Sequence, residues 1–238
     1  MLPCHRKSEH DLFRRSSNQC TIENHTVTNR LTNKLLLQGV AELSATDKGL
    51  GRVVELYGPP PMWGRKAGFP ALVKIILEQQ VSLVSAEAVF RKLQSSVSDV
   101  SPEQIKKLSV SGLREIGFTR QKAGYCEGLA ELILAGELSL DSLKRLDDES
   151  AHNKLLAIKG IGPWTANIYL LMALRRPDVW PDGDLALAES ARRIKKLKER
   201  PSYERLNKMA QNWRPWRSVA ARILWHAYLS ENALIGTQ

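Results

Sequence analysis

The chain has 238 residues, of which 43% are hydrophobic and 25% charged, with 35 Lys and Arg against 25 Asp and Glu. That balance excludes a disordered, fibrous or membrane-embedded class, and the length suffices to bury a substantial core. A formal net charge of +10 points to a polyanionic partner, with nucleic acid ahead of an anionic membrane surface.

Residues 1–30 are polar, hold His5, His10 and His25, and read as a disordered tail. Cys4, His5, His10 and Cys20 match no familiar metal spacing. From residue 31 to 238 the pattern predicts one all-α unit of about ten helices. Leu31, Leu35, Leu36, Val40 and Leu43 share a face, and Gly58-Pro59-Pro60-Pro61 breaks the chain. Pro70 suits the first turn of a helix carrying Leu72, Ile75 and Ile76. Ala86, Val89, Phe90 and Leu93 mark the next. Ser101-Pro102-Glu103-Gln104 predicts a capping box. Tyr125, Leu129, Leu132 and Ile133 line a helix ended by Gly136, and two more fit Tyr203–Trp213 and Trp216–Tyr228. No alternating strand pattern occurs. Three cysteines without a C-x-x-C pair exclude a disulfide framework and a four-cysteine metal cluster. There is no apolar run of the roughly 18 residues a spanning helix needs, and no secretory signal. The expectation is a protein that is not secreted, in the cytoplasm or nucleoid of a bacterium or the nucleus of a eukaryote.

Leu155-Leu156-Ala157-Ile158-Lys159-Gly160-Ile161-Gly162-Pro163-Trp164-Thr165-Ala166-Asn167 is the most informative stretch. One helix finishes, Gly160 and Gly162 allow a tight turn with dihedrals other residues resist, and Pro163 starts a second helix. This is a helix–hairpin–helix, over about 151–174. Its backbone N–H groups beside a helix N-terminus suit a phosphate oxygen, a contact independent of base sequence.

The hairpin, followed by Trp180-Pro181-Asp182-Gly183-Asp184-Leu185-Ala186-Leu187, resembles the helix–hairpin–helix (HhH-GPD) DNA glycosylase superfamily, in its 3-methyladenine DNA glycosylase II (AlkA-like) branch. Gly68-Phe69-Pro70-Ala71-Leu72, Ile76-Leu77-Glu78-Gln79-Gln80-Val81-Ser82, Gly117-Phe118-Thr119-Arg120-Gln121-Lys122-Ala123 and Trp213-Arg214-Pro215-Trp216-Arg217-Ser218 extend the likeness over about residues 35–230. The resemblance implies two helical subdomains with a DNA and base cleft between them. The additional N-terminal sheet domain of some members is not expected, since 30 polar residues cannot supply one.

The implied activity is base-excision repair. An alkylated purine of the 3-methyladenine or 7-methylguanine type is flipped out of duplex DNA and its N-glycosidic bond is hydrolysed. Asp184, in the loop 180–187, matches the catalytic aspartate; it would stabilise an oxocarbenium-like sugar and orient water. Its position at a helix start favours the anion, and a plain N-cap is the alternative. Asp182 reads as a loop-shaping carboxylate. Trp164 stands where lyase-competent relatives carry a lysine, which implies a monofunctional hydrolase that leaves an abasic site. Its ring suits stacking on a flipped base or core packing.

Ile168, Trp225 and His226 fall at pocket positions, with core packing open for Trp225 and a surface place for His226. Gln79 and Gln80 lie where a side chain enters the DNA stack, or are helix-end glutamines bonded to backbone. Gly160, Gly162, Thr165, Arg120 and Lys122 are the other expected DNA contacts. The basic run Arg192–Arg200 is a solvated face or a phosphate surface. No metal held by side chains and no cofactor is expected, beyond a monovalent cation on hairpin carbonyls. The expected partner is double-stranded DNA with damaged bases, bound by a monomer away from membranes. Two other readings remain open: a glycosylase for oxidised or mismatched bases, and a non-catalytic lesion-binding module.

Overall fold

The computed structural model describes residues 30–235, so the polar segment, apart from Arg30, and the Cys4, His5, His10 and Cys20 positions lie outside the described residues. Eleven α-helices follow in chain order: α1 Asn33–Thr46, α2 Lys48–Tyr57, α3 Phe69–Glu78, α4 Leu83–Ser96, α5 Pro102–Ile116, α6 Arg120–Leu134, α7 Asp148–Leu156, α8 Pro163–Ile168, α9 Leu185–Ile194, α10 Tyr203–Gln211 and α11 Arg217–Ile235. A 3₁₀ turn at Ser142–Arg145 precedes α7, and a π turn at Tyr169–Ala173 prolongs α8. Among the described residues there is no strand.

The termini are set by short-range chemistry. Asp47 ends α1 by donating its N–H to Leu43 and starts α2 by accepting from the Gly49 and Leu50 amides. Thr119 and Ser202 accept from the amides of Lys122 and Arg205, three residues on, to start α6 and α10. Ser101 caps α5 through the Gln104 amide. Only half of the predicted box forms, because the Gln104 side chain donates to Ser98 instead of reaching back to Ser101. Helix α5 is also kinked at Ser109, whose φ is 58°.

Two hydrophobic cores result. The middle of the chain, α3 to α8 with the π turn, packs around Leu72, Ile75, Ile76, Leu113, Leu129, Leu155 and Tyr169. The two ends of the chain, α1 and α2 with α9 to α11, pack around Leu36, Leu43, Leu50, Leu187, Leu206, Val219 and Leu224. Leu50, Leu72 and Leu93 are fully buried, so truncating any one to alanine costs about 2–5 kcal/mol. Met172 and Trp225 pack against both cores and mark the seam.

Arg222 on α11 crosses that seam fully buried and donates to the carbonyls of Trp63 and Leu171. Burial, with Arg175 nearby adding repulsion, pushes its pKa down to about 10. An arginine inside the apolar run Val219-Ala220-Ala221-Arg222-Ile223-Leu224 was the sequence signal for such a strut.

Candidate active site and nucleic-acid interface

Asp184 lies where the seam meets the start of α9, and only 9% of it is exposed. Three N–H groups converge on its carboxylate. The Leu187 amide donates to Oδ1 at 2.9 Å, which makes Asp184 the N-cap. The Trp164 indole donates to Oδ2 at 3.0 Å, and the Trp225 indole to Oδ1 at 3.3 Å. Asp184 is therefore both a cap and a carboxylate oriented from both sides of the seam, by α8 and by α11. Sequence reasoning placed both tryptophans near the base pocket but missed that their polar edges hold the aspartate. Their rings remain half-buried beside it.

The segment leading into Asp184 is fixed almost residue by residue. Arg217 brackets Asp178, with Nε 2.9 Å from Oδ1 and Nη2 3.1 Å from Oδ2. Ser218 donates to the Val179 carbonyl and accepts from its amide, both at 3.0 Å. The Trp180 indole donates to Asn207 at 3.0 Å. Farther along, Ser190 donates to the Leu224 carbonyl and so binds α9 to α11. The closing Arg217-Ser218 pair thus acts on the Asp184 loop from a distance, holding a carboxylate whose placement decides what it can do. Asp182 is half-buried, and its amide donates to the Trp180 carbonyl, closing the loop turn.

The hairpin departs from expectation at one of its glycines. Gly160 has φ of 90°, and a Cβ there would sit 2.2–2.5 Å from the Tyr125 ring. Gly162 has φ of −90° with extended backbone, a conformation any residue adopts, so its freedom is not needed for the turn. A Cβ at Gly162 would meet nothing within 4 Å. Gly160 is thus required by the protein's own packing, whereas the bare surface at exposed Gly162 leaves the α8 N-terminus open to an approaching group.

Several residues expected at DNA serve the scaffold instead. The Gln79 side chain donates to the Gly160 carbonyl at 2.8 Å and to the Thr165 hydroxyl at 2.9 Å, tying α3 to the hairpin. Thr165 is 2% exposed, so its side chain is a partner for Gln79 and not an outward-facing contact. The Lys122 ammonium donates to the carbonyls of Leu77 and Gln79, which ends α3, and burial lowers its pKa. Ile168 is buried in the middle core. His226 turns to the α2–α3 loop, donating from Nε2 to the Tyr57 carbonyl at 3.1 Å and meeting the Trp63 ring edge-on at 6.0 Å.

Arg193 and Arg192 pair with Glu189, Arg200 lies 3.6 Å from the same carboxylate, and Lys195 pairs with Asp47. Most of the densest basic run is thereby folded back on the protein, with Lys196 and Lys198 left exposed. Left outward are Gln80, exposed with φ of 56°, Arg120 at the start of α6, and Lys159 in the hairpin, a cation the sequence reading passed over. Val81, Leu83 and Val84, 46%, 62% and 81% exposed, continue the surface beside Gln80. Among the described residues no cluster of His, Cys, Asp and Glu could hold a metal, and no helix is long and apolar enough to cross a membrane.

An all-helical fold with a glycine hairpin and, some twenty residues on, a helix-capping aspartate at the seam between two cores defines the class: a helix–hairpin–helix repair protein. Residues 73–215 match the HhH-GPD superfamily of base excision DNA repair proteins, and the chain belongs to that superfamily. It is 31% identical over 169 residues to a DNA-3-methyladenine glycosylase of Bacillus subtilis; the match covers 66% of this chain and 56% of that relative. It is 28% identical over 197 residues to DNA-3-methyladenine glycosylase 1 of Schizosaccharomyces pombe, covering 80% of this chain and 86% of that one. The solved structure of the S. pombe 3-methyladenine DNA glycosylase Mag1 in complex with abasic DNA superimposes with a TM-score of 0.73, at 28% identity, over 79% of this chain and 95% of Mag1.

Proposed function

We propose that this protein is a monofunctional DNA glycosylase that releases alkylated purines of the 3-methyladenine or 7-methylguanine type and leaves an abasic site. The observation that carries the reading is the Asp184 carboxylate, held at the seam by two indole N–H groups and a helix N-terminus. The names of the relatives support the choice of substrate.

An N-alkylated purine is positively charged and leaves readily, so the deficit to be met is at the sugar. As the C1′–N bond breaks, its electron pair goes to the base and positive charge grows on the sugar ring. A fixed carboxylate offsets that charge in a site shielded from water, where electrostatics are strong. Water then adds its oxygen to C1′ and gives its proton to Asp184 or to solvent. The faces of Trp164 and Trp225 form the walls against which a flipped, cationic base stacks. Trp164 is an indole where lyase-competent relatives carry a lysine, so that position offers no amine to form a Schiff base.

Duplex DNA is the partner. Its phosphate approaches the bare Gly162 surface, with Lys159 and Arg120 alongside, and Gln80 with its apolar neighbours enters the stack. Lys159 and Ile161 would offer hairpin carbonyls to a monovalent cation, since those of Ile158, Gly160 and Gly162 already accept from Ile161, Gln79 and Ala166. Such a cation would supply only a charge bridge to the phosphate.

The test is release of bases from duplexes carrying single defined lesions, with and without alkali. The expected outcome is release of 3-methyladenine and 7-methylguanine, with strand breaks only after alkali. Release of 8-oxoguanine or mismatched bases instead, or breaks without alkali, overturns the proposal.

A further inference from the structure

A second cluster of cations lies where the π turn ends, apart from the hairpin. A cavity of about 630 Å³ is lined by Arg30, Arg65, Lys66, Lys144, Arg175 and Arg176, together with Gly64, Ala67, Ala173 and Leu174, and among the described residues no carboxylate lines it. The helical run from Pro163 to Ala173 leads from the hairpin to this cavity, and α7 runs from the Lys144 side back to the hairpin. At 1.5 Å per residue each helix spans roughly 13–16 Å, so the two ends are separate surfaces.

Part of this charge is explained by the protein itself. Arg176 is buried, donates to the carbonyls of Leu143, Lys144 and Leu146, and lies 3.3 Å from Asp148. Lys144 pairs with Asp141, and one arm of Arg65 pairs with Glu78 at 2.7 Å. Arg30, Lys66 and Arg175 have no carboxylate partner among the described residues. Two guanidinium nitrogens, Arg65 Nη1 and Arg175 Nε, are buried with no hydrogen-bond partner among the described residues.

Unmet buried donors cost about 1–3 kcal/mol each, and both belong to side chains that line this cavity. Arg175 also has φ of 58°, a left-handed conformation unusual for a residue with a long side chain. The backbone at Gly64 lies close to its guanidinium: a Cβ there would be 3.3 Å from Arg175 Nε. The charge of Arg175 is felt by the buried Arg222 behind it. The fold thus holds like charges together, at a cost in strain and repulsion, around a hollow.

We propose that this cavity binds a small phosphate-bearing anion, of the size of a di- or triphosphate, at a site distinct from the DNA face. Guanidinium groups and a lysine match the tetrahedral, multiply charged phosphate. The volume lies in the range of small-ligand pockets. A concave hollow admits an oligophosphate, whereas duplex phosphates lie on a convex surface. The site goes beyond the excision reading and stands or falls independently of it.

Pyrophosphate is the probe, titrated calorimetrically into the whole protein in 100 mM salt. The expected result is saturable 1:1 binding, with Kd weakened at least tenfold in Arg30→Glu and in Lys66→Glu. Both are rim positions, and thermal unfolding checks that the fold is intact. Arg175→Gln tests the cavity wall with the same expectation. Arg120→Glu, on the DNA face, should leave pyrophosphate binding unchanged. Pyrophosphate should still bind when an abasic duplex saturates the protein.

Absence of saturable binding up to millimolar pyrophosphate, or equal affinity in Lys66→Glu, overturns the proposal, as does displacement of pyrophosphate by one equivalent of duplex. Duplex titrated past one equivalent separates the two sources of phosphate: a second bound duplex that Lys66→Glu abolishes assigns the surface to DNA backbone and overturns the small-anion assignment.

Discussion

Replacing Asp184 with asparagine separates its two duties. Asparagine keeps one carbonyl oxygen, which can go on accepting from the Leu187 amide and the Trp225 indole, as Oδ1 does now. Its amide nitrogen then faces the Trp164 indole, 3.0 Å from the present Oδ2, and sets donor against donor. Loss of that charge-assisted bond, with two donors left opposed, costs about 1.5–3 kcal/mol. For a chain of this size that lowers Tm by roughly 3–12 °C, leaving a folded protein at 25 °C. The catalytic loss is larger. Removing preorganised electrostatic stabilisation from a shielded site costs about 10²–10³ in rate even for one neutral donor, so loss of a full charge gives about 10³ or more. DNA affinity is unaffected or rises, because an anion has been removed from a surface that meets phosphates. The assay is single-turnover release from a duplex with one 7-methylguanine, read by alkali cleavage, beside a binding titration with an abasic duplex. Activity within tenfold of the parent refutes the reasoning. So does a parallel loss of DNA binding in a variant that melts normally, which would make Asp184 part of the binding surface and not of the chemistry.

Three further outcomes are expected. Trp164→Phe keeps the ring and removes only the N–H on Asp184, so single-turnover release falls about 10- to 100-fold with KM little changed; a change in KM alone makes stacking its whole contribution. Gly160→Ala drives a methyl into the Tyr125 ring at a left-handed φ and costs roughly 2–4 kcal/mol, whereas Gly162→Ala leaves Tm unchanged and weakens DNA binding about tenfold. Melting curves and binding titrations on the pair check this, and the reverse assignment refutes it. Asp47 gives a pH signature: burial alone would raise its pKa, but bonds from Lys195, Trp213 and the Leu50 amide hold it below the ordinary 3.8. A depressed carboxylate stabilises the fold above its unfolded pKa and loses that contribution as pH falls through the folded value. Asp47→Asn should therefore lower Tm by a constant amount from neutral pH down to about pH 5, with the gap to the parent closing only at more acid pH.

Much of this molecule is written in local chemistry. Pro70, Pro102 and Pro163 stand in the first turns of α3, α5 and α8, and Gly117 and Gly136 follow the ends of α5 and α6. Helix α2 was not read because the pattern Leu50, Val53, Val54 and Tyr57 continues that of α1 with only Asp47 between, a residue that caps in both directions. The π turn after α8 left no mark in residue type, since Tyr169–Ala173 is as apolar as a helix interior. The hairpin was legible because Gly160 and Pro163 have few ways to serve at that spacing, and Asp184 through its match to the aspartate of the family it resembles.

The polar side chains around them were not legible. Gln79, Thr165 and Lys122 are types that bind DNA or bond to backbone with equal ease. The choice is made by residues distant in sequence: Gly160 and Thr165 stand 81 and 86 positions from Gln79, and Leu77 stands 45 from Lys122. Trp164 and Trp225 are a related case. The resemblance placed both at pocket positions, with core packing the alternative, but the shared hydrogen-bond target emerges only when α8 and α11 are brought to the same carboxylate.

Net charge shows the same limit from the other side. A surplus of ten cations says that something anionic is attracted, but not where, because paired charges contribute little field beyond their own neighbourhood. Glu189 takes Arg192 and Arg193, Asp178 takes Arg214 and Arg217, and Asp47 takes Lys195. The longest basic run therefore keeps only Lys196 and Lys198 exposed and unclaimed. Attraction falls to cations that no carboxylate claims, and these are scattered: Arg120 and Lys159 at the hairpin, Arg30, Lys66 and Arg175 at the cavity, and others such as Lys34, Arg52, Lys107 and Lys208 elsewhere on the surface. The surplus alone therefore assigns no site; the cavity is read as one because Arg30, Lys66 and Arg175 converge on a single hollow.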